Sequence, residues 1–259
     1  MNRDTLRQWL VLIAVVVTII FNVLANALPL NGLNTGEISD RFQVFFVPAG
    51  YVFSIWGLIY LGLIAYGIYQ VLPAQRENPR LRRVGYLFLL SCLANVAWLF
   101  LWHYEVFEFT LVAMLVLLFS LIAIYLRLEI GRESVTSGEK WAVQIPFSIY
   151  LGWISVATIA NVTQLLYYLD WGGWGIAPEV WAVIMLAAGV IISALMSLTR
   201  RDIAYSLVLV WAYIGIAQKQ SETALVATSA LIATGLILLV LIVEVVRKYR
   251  SPVGMQTAG

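Results

Sequence analysis

The side chains of this sequence that are suited to ligand chemistry are aromatic rings and carboxamides, which recur at helical spacing in three apolar stretches. The stripes are Phe53, Trp56 and Tyr60 in the first stretch, Asn95, Trp98 and Trp102 in the second, and Tyr150, Trp153, Ala157 and Asn161 in the third. Residues at i, i+3 and i+7 share one face of a helix. Rings bind flat apolar molecules by stacking, and carboxamides orient them by hydrogen bonds, so the pattern indicates binding.

Groups for catalysis or metal binding are scarce. The chain contains one histidine, His103, and one cysteine, Cys92, whereas a metal site needs several ligands at compatible spacing. The sequence has no glycine-rich phosphate loop, no G-x-S-x-G motif and no pair of carboxylates inside an apolar stretch. We therefore predict no catalytic residue, no metal ion and no required cofactor. We interpret His103 as an interfacial residue at a helix end, or otherwise as a hydrogen-bond donor at the mouth of a pocket.

The elements that must position these stripes are membrane helices. Hydrophobic residues make up 62% of the 259 residues and charged residues 12%, and the mean hydropathy is +0.89. In a soluble domain the charged fraction is about 25%. Long apolar runs between short charged clusters are typical of helices, because a transmembrane barrel alternates in segments of about ten residues. We expect a lipid bilayer around the protein and no nucleic-acid partner.

A bilayer core is crossed by about twenty apolar residues, and this length predicts an all-α integral membrane protein with about eight transmembrane helices. The predicted spans are 8–28, 46–72, 84–103, 106–127, 141–165, 178–199, 203–218 and 223–247. The first resembles a cleaved signal peptide, because Arg3 and Arg7 precede it and the run ANA near its end resembles a cleavage site. Its length favours a retained helix.

The basic residues test this number of spans. With the N-terminus inside, fourteen of the sixteen Lys and Arg residues fall on inner segments, and only Arg41 and Lys219 fall outside. The positive-inside rule then predicts a multi-pass protein of the cell membrane with both termini cytoplasmic. No charged residue lies at the centre of a span, which disfavours ion-coupled carriers, proton pumps and retinal proteins. Glu244 precedes Lys248 by four residues, a spacing at which two side chains pair.

The three stripes fall at one predicted depth. The second span begins outside, and the third and fifth end outside, so all three stripes lie in the outer half of the membrane beneath the loop 31–43. Asparagine is costly in lipid, so Asn95 and Asn161 face protein, water or a ligand. The three stripes therefore have two interpretations. They form either a packed helix interface that polar residues stabilise by hydrogen bonds, or a shared aromatic pocket.

The stripes also resemble a known family. The run VPAGYVFSIWGLIY resembles the proline-aromatic start of the second helix in the TspO/MBR family, the tryptophan-rich sensory or translocator proteins. The run NVAWLF is similar to the family's N-x-x-W on the third helix, and PFSIYLGWISVATIAN is similar to its fifth-helix motif. The resemblance covers about residues 8–168. Ala49 and Tyr51 stand where the family pattern has proline and tryptophan.

The resemblance implies a five-helix bundle over residues 1–168, with an aromatic pocket beneath the loop between the first two helices. It leaves residues 169–259 as three additional helices and a short tail. The implied ligands are porphyrins and other tetrapyrroles, isoquinoline-type drugs and sterol-like lipids, and Arg41 is the basic group of the loop that could pair with porphyrin propionates. Carried over motif by motif, the ligand-binding residues are Trp56, Tyr60, Asn95, Trp98, Trp153, Ala157 and Asn161, and the pocket-shaping residues are Pro48, Phe53 and Tyr150.

From these observations we expect a membrane-embedded sensor or binding protein for a porphyrin, a sterol or another flat hydrophobic molecule, and assistance in its transport is a further option. One alternative is a small-solute transporter or channel with a helix broken at Pro48 or Pro146. Another is a membrane signalling partner that docks through the last three helices. Small residues such as Gly85, Ser91 and Ala94 are compatible with a homodimer.

Overall fold

The computed structural model describes residues 2–28 and 30–250, with side chains to residue 247, and the regular structure of these residues is helical. The helices in chain order are α1 (Arg3–Ala27), α2 (Thr35–Asp40), α3 (Ile55–Val71), α4 (Pro79–His103), α5 (Phe107–Arg127), α6 (Ser137–Glu139), α7 (Ile145–Tyr168), α8 (Pro178–Arg200), α9 (Ile203–Lys219) and α10 (Ala224–Arg250). Of the helical stretches described, 7 are long and apolar enough to cross a membrane, and α9 is a shorter apolar helix of 17 residues. The predicted all-α membrane fold is confirmed.

The second span starts later than its apolar run. Residues 46–49 are not helical, and the chain passes through a 3-10 turn, Gly50–Ser54, before α3 begins. Pro48 fixes its φ angle and has no N–H to donate. The amide N–H of Ala49 donates instead to the carbonyl oxygen of Gly215 on α9, at 3.1 Å. The predicted start at residue 46 was wrong because this backbone bonds to another helix.

The fifth span also begins irregularly. The single turn α6 leads into a π-helical turn, Lys140–Gln144, and α7 follows. Pro146 lies in the first turn of α7, directly after Ile145, whose N–H donates to the carbonyl oxygen of Lys140, and Pro146 has no N–H to continue this pattern. The helical stretch Ser137–Tyr168 is therefore longer than the predicted span 141–165 at both ends.

One apolar core connects all eight spans, from Val11 on α1 to Leu241 on α10. Small residues bring the later helices close to the earlier ones, as is usual in membrane bundles. At Gly152 of α7, an added Cβ would lie 3.0 Å from the carbonyl oxygen of Tyr205 on α9. The core therefore continues across residue 168, and the division of the chain at that residue stays a prediction.

The two ends of the bundle carry different ion pairs. At the end predicted to be cytoplasmic these are Arg7–Asp4, Arg82–Asp4, Arg80–Glu133, Arg80–Glu139, Arg200–Glu129 and Arg201–Glu244. At the opposite end they are Arg41–Glu105 and Lys219–Asp40. Glu244 contacts Arg201 at 3.9 Å, while its predicted partner Lys248 lies outside the side chains that the structure describes.

Candidate functional site

A small cavity lies between α3, α4, α5 and α7, beneath α2, and its volume is about 50 Å³. The walls contain eight of the ten residues that the sequence assigned to a site: Pro48, Phe53, Trp56, Asn95, Trp98, Trp153, Ala157 and Asn161. The three stripes therefore meet at one space. That these residues bind a ligand remains a prediction.

The two other predicted residues, Tyr60 and Tyr150, stand behind the cavity wall. Tyr60 stacks on Trp56 with ring centroids 5.6 Å apart. Tyr150 is buried, and its ring meets that of Trp56 edge to face at 6.0 Å. These two tyrosines support the indole of Trp56 rather than line the cavity.

The aromatic walls contact one another as well as the cavity. Trp98 and Trp102 are stacked with centroids 5.3 Å apart, and Phe53 meets Trp153 edge to face at 5.7 Å. Such ring pairs contribute about 0.5–1.5 kcal/mol beyond the burial of their area. The rings are therefore fixed in place before any ligand arrives.

Asn95 connects three helices. Its side-chain oxygen accepts a hydrogen bond from Nδ2 of Asn22 on α1 at 2.7 Å, and its own Nδ2 donates to the hydroxyl of Tyr150 on α7 at 3.0 Å. Asn22 also donates to the carbonyl oxygen of Thr18. The carboxamide of Asn95 is thus held at both ends by protein.

Asn161 on α7 also connects three helices through its carboxamide. Its side-chain oxygen accepts from Nε1 of Trp98 on α4 at 3.1 Å, and its Nδ2 donates to Oγ1 of Thr110 on α5 at 2.9 Å. Asn95 and Asn161 therefore cross-link the helices that form the walls. A carboxamide has one further acceptor and one further donor position, so a second role in ligand contact is compatible with these bonds.

Two polar atoms of the cavity wall have no hydrogen-bond partner among the residues that the structure describes. These are Nε1 of Trp153 and Oγ1 of Thr35. Trp153 is 3% exposed, and a buried donor without an acceptor costs about 1–3 kcal/mol. The indole N–H of Trp153 is consequently the cavity group best suited to donate to a bound molecule.

The cap of the cavity is α2 with its flanking loop. Oγ of Ser39 accepts from Nε2 of Gln164 at 2.8 Å, and the carbonyl oxygen of Thr35 accepts from Nε1 of Trp102 at 3.2 Å. A capping box with Asn34 fixes the first turn of α2. These two hydrogen bonds connect the cap to α7 and to α4.

Arg41 lies outside the cavity wall, next to the cap, and forms an ion pair with Glu105. The hydrogen bond to that carboxylate, together with its charge, raises the pKa of Arg41 above the usual arginine value. Glu105 therefore already neutralises the guanidinium that the sequence offered to a porphyrin propionate.

His103 ends α4 as predicted, and its side chain is buried within the protein. Its Nδ1 lies 2.8 Å from the carbonyl oxygen of Leu99. Within residues 2–28 and 30–250, no group of three His, Cys, Asp or Glu side chains is arranged to hold a metal ion.

Several lining residues were missing from the predicted site. Trp102 belonged to the second stripe, and Gln164 lies three residues beyond Asn161, so helical spacing pointed to both of them. Met114 and Leu117 come from α5, which has no stripe of aromatic and carboxamide residues. For these two, the sequence carried no signal.

Comparison with known proteins places the chain in a family. A family model described as TSPO-like protein matches residues 8–243, from within α1 to within α10. This match extends beyond the predicted limit near residue 168 and includes α8 and α9. Comparisons with curated proteins and with solved structures gave no significant match. With the family match covering nearly the whole chain and its helices apolar enough to span a bilayer, this multi-pass membrane protein belongs to the family of TSPO-like proteins.

Proposed function

We propose that the cavity beneath α2 binds a flat apolar molecule that carries a hydrogen-bond acceptor, and that the protein acts as a membrane sensor or carrier of it. The family itself suggests a membrane sensor or binding protein. Tetrapyrroles and sterol-like lipids are the ligand classes that the sequence resemblance implies. They offer an extended apolar body for the tryptophan walls and a few polar atoms for orientation.

The observation that carries the proposal is the indole N–H of Trp153. Trp153 lines the cavity, its indole N–H is buried, and the N–H has no acceptor among the described residues. Buried polar groups are normally paired. A ligand oxygen or nitrogen that accepts from Trp153 would satisfy this donor, whereas the carboxamides of Asn95 and Asn161 are already held by protein.

The size of the cavity sets a condition on binding. Its volume is about 50 Å³, which suits a few water molecules, whereas ligand pockets have volumes of about 300–1,000 Å³. A tetrapyrrole therefore binds only if the cavity enlarges. The bonds Gln164–Ser39 and Trp102–Thr35 join α2 to the walls, and the carboxamides of Asn95 and Asn161 join α4, α5 and α7 to one another. We propose that the bonds to α2 break and α2 moves away, while α4, α5 and α7 stay together.

The experiment is a titration of the full chain in detergent micelles with protoporphyrin IX, followed by the visible absorbance of the porphyrin. Trp153→Phe keeps an aromatic wall and removes the N–H donor. A lost hydrogen bond weakens binding by about 2- to 10-fold. Trp98→Ala removes a whole wall, and we expect a larger loss, on the order of tenfold or more.

The control variant is Trp174→Phe, because Trp174 is 79% exposed and lies in the loop between α7 and α8. We expect it to bind like the wild type. The same three variants are also titrated with a fluorescent sterol, which separates the two ligand classes. Equal affinity of the wild type, Trp153→Phe and Trp98→Ala for both probes, with helical circular dichroism unchanged, would contradict the proposed site.

A second candidate function is passage of a small solute, and one observation favours it. The fifth span is not a regular α-helix, because a π-helical turn, Lys140–Gln144, precedes Pro146. Turns of this kind are frequent at functional sites. Flux of a labelled solute into liposomes that contain the purified chain tests this candidate, and flux equal to that of empty liposomes would exclude it for the solutes tried.

A further inference from the structure

A second concavity lies on the outer surface of the bundle, in a groove between α4 and α5 with a volume of about 450 Å³. Leu87 and Leu90 form one side, and Val112, Val116 and Phe119 form the other. The only polar side chain that contributes to the wall is Ser120, and its hydroxyl donates to the carbonyl oxygen of Val116 on its own helix at 2.7 Å. The groove is therefore apolar throughout, and it lies on helices that are predicted to span the bilayer.

Both walls of the groove lead to an arginine at the same end of the bundle. Arg83 precedes Leu87 by four residues and Leu90 by seven, so all three share one face of α4. On α5, Arg127 follows Ser120 by seven residues and Val116 by eleven, which again places them on one face. The groove thus continues into two basic side chains.

A hydrogen bond brings these arginines together. Nη1 of Arg127 donates to the backbone carbonyl oxygen of Arg83 at 2.9 Å, and both residues are exposed. The pair lies at the end of the bundle that the sequence predicts to be cytoplasmic. The guanidinium group of Arg127 therefore lies against the backbone of Arg83, and both residues carry their charge at the end of the groove that is predicted to meet the membrane surface.

The charge of this pair is not neutralised by protein. Among the ion pairs of the described residues, neither Arg83 nor Arg127 has a carboxylate partner, whereas Arg80 and Arg82 on the same helix both do. Guanidinium groups match phosphate oxygens in geometry and charge. An anionic phosphate group is thus the natural complement of this end of the groove.

The dimensions match a phospholipid. Leu87 lies one helical turn from Arg83, and on α5 the groove residues Ser120 and Phe119 lie about 10 and 12 Å from Arg127 at the rise of an α-helix. Half of the hydrocarbon core of a bilayer is about 15 Å thick. A headgroup at the arginines would therefore place an acyl chain against this part of the groove within one leaflet.

We propose that the groove between α4 and α5, with Arg83 and Arg127 at its end, is a binding site for an anionic glycerophospholipid. The phosphate contacts the two guanidinium groups, and one acyl chain lies against Leu87, Leu90 and Phe119. Two unneutralised positive charges favour a headgroup with net negative charge over a zwitterionic one. The site is separate from the cavity beneath α2 and does not depend on the function proposed for it.

The test is native mass spectrometry of the full chain released from micelles that contain equal amounts of phosphatidylglycerol and phosphatidylcholine. We expect the wild type to retain phosphatidylglycerol preferentially. The double variant Arg83→Gln/Arg127→Gln should lose this preference by a factor on the order of tenfold. The matched control is Arg76→Gln/Arg132→Gln, which removes two exposed charges outside the groove and should retain the lipid like the wild type.

A second variant distinguishes a seated lipid from attraction to surface charge. Val116→Trp fills the groove and keeps both arginines, so retention of phosphatidylglycerol should fall in this variant as well. Equal retention by the wild type, the arginine double variant and Val116→Trp would overturn the proposal. The same spectra report dimers, and a groove occupied by a second copy of the chain would show as a dimer that Val116→Trp dissociates without any change in lipid retention. That outcome too would overturn the proposal.

Discussion

The cavity beneath α2 and the groove between α4 and α5 both have α4 and α5 as walls, but they differ in volume and in the hydrogen bonds between their walls. Leu117 lines the cavity, and its neighbour Val116 lines the groove on the other side of α5. The cavity measures about 50 Å³ and is crossed by side-chain hydrogen bonds between helices, while the groove measures about 450 Å³ and contains none. In the cavity, hydrogen bonds between helices hold the walls close together. The walls of the groove are not joined in this way, so its selectivity for a ligand must come from the charged residues at its end.

The largest expected effect comes from breaking a cross-link of the cavity. Asn161→Leu leaves the N–H of Trp98 without an acceptor and removes the donor to Thr110. Orphaned buried groups cost about 1–3 kcal/mol each, and interhelical hydrogen bonds in membranes contribute about 0.6–2 kcal/mol. We expect the free energy of unfolding to fall by about 2–3 kcal/mol, measured by denaturation in mixed micelles.

The control for this prediction lies in the groove. Ser120→Ala removes a hydroxyl that bonds only to its own helix, so the free energy of unfolding should change by less than about 0.5 kcal/mol. Equal losses for Asn161→Leu and Ser120→Ala would show that the cavity is not cross-linked as its geometry implies.

A somewhat smaller effect is expected where α9 touches the cavity wall. An added Cβ at Gly215 would lie 2.2 Å from Cγ2 of Val52 and 3.2 Å from Cβ of Pro48, which lines the cavity. Gly215→Ala should therefore destabilise the protein by about 1–3 kcal/mol through overpacking, and it should change porphyrin affinity. The matched variant is Gly235→Ala, where an added Cβ meets nothing within 4 Å. A Gly215→Ala protein as stable as Gly235→Ala would argue against this contact.

The smallest effect is expected at the edge of the cap. Arg41→Gln removes the ion pair with Glu105, whose side chains are 51% and 36% exposed. Exposed ion pairs contribute about 0–1 kcal/mol and are screened by salt. Stability should therefore hardly change, while porphyrin should associate faster with the variant at low salt and equally fast with both proteins at high salt. If association is equally fast at every salt concentration, this ion pair does not hold the cap.

The sequence predicted the spans well because a bilayer demands a fixed apolar length. Eight of its ten predicted site residues line the cavity, because the stripes that contain Trp56, Trp98 and Trp153 keep helical spacing. The start of the second span at residue 46 was misplaced because hydropathy does not report backbone bonds such as that from Ala49 to Gly215. Hydropathy gave Phe46 and Val47 the same weight as helical residues.

Other parts of the site depend on distances that a sequence does not contain. Asn22 lies in an apolar helix, and only the packing of α1 against α4 shows that it holds Asn95. The volume of the cavity depends on how closely the tryptophan rings approach one another, and no spacing rule gives that number. The groove could not be predicted from the sequence for a related reason, because the leucines and valines that form it are typical of lipid-facing residues.

The bond between Ala49 and Gly215 bears on the role of the last three helices. In hydrocarbon, a free backbone N–H costs several kcal/mol, so an unwound start of a span needs a neighbouring protein surface to complete it. Here α9 provides that surface through the carbonyl of Gly215, and Nε1 of Trp211 donates to the carbonyl oxygen of Val52 at 3.1 Å. The C-terminal helices thus serve the first part of the chain as a built-in subunit would, and this support is present in every copy at any protein concentration.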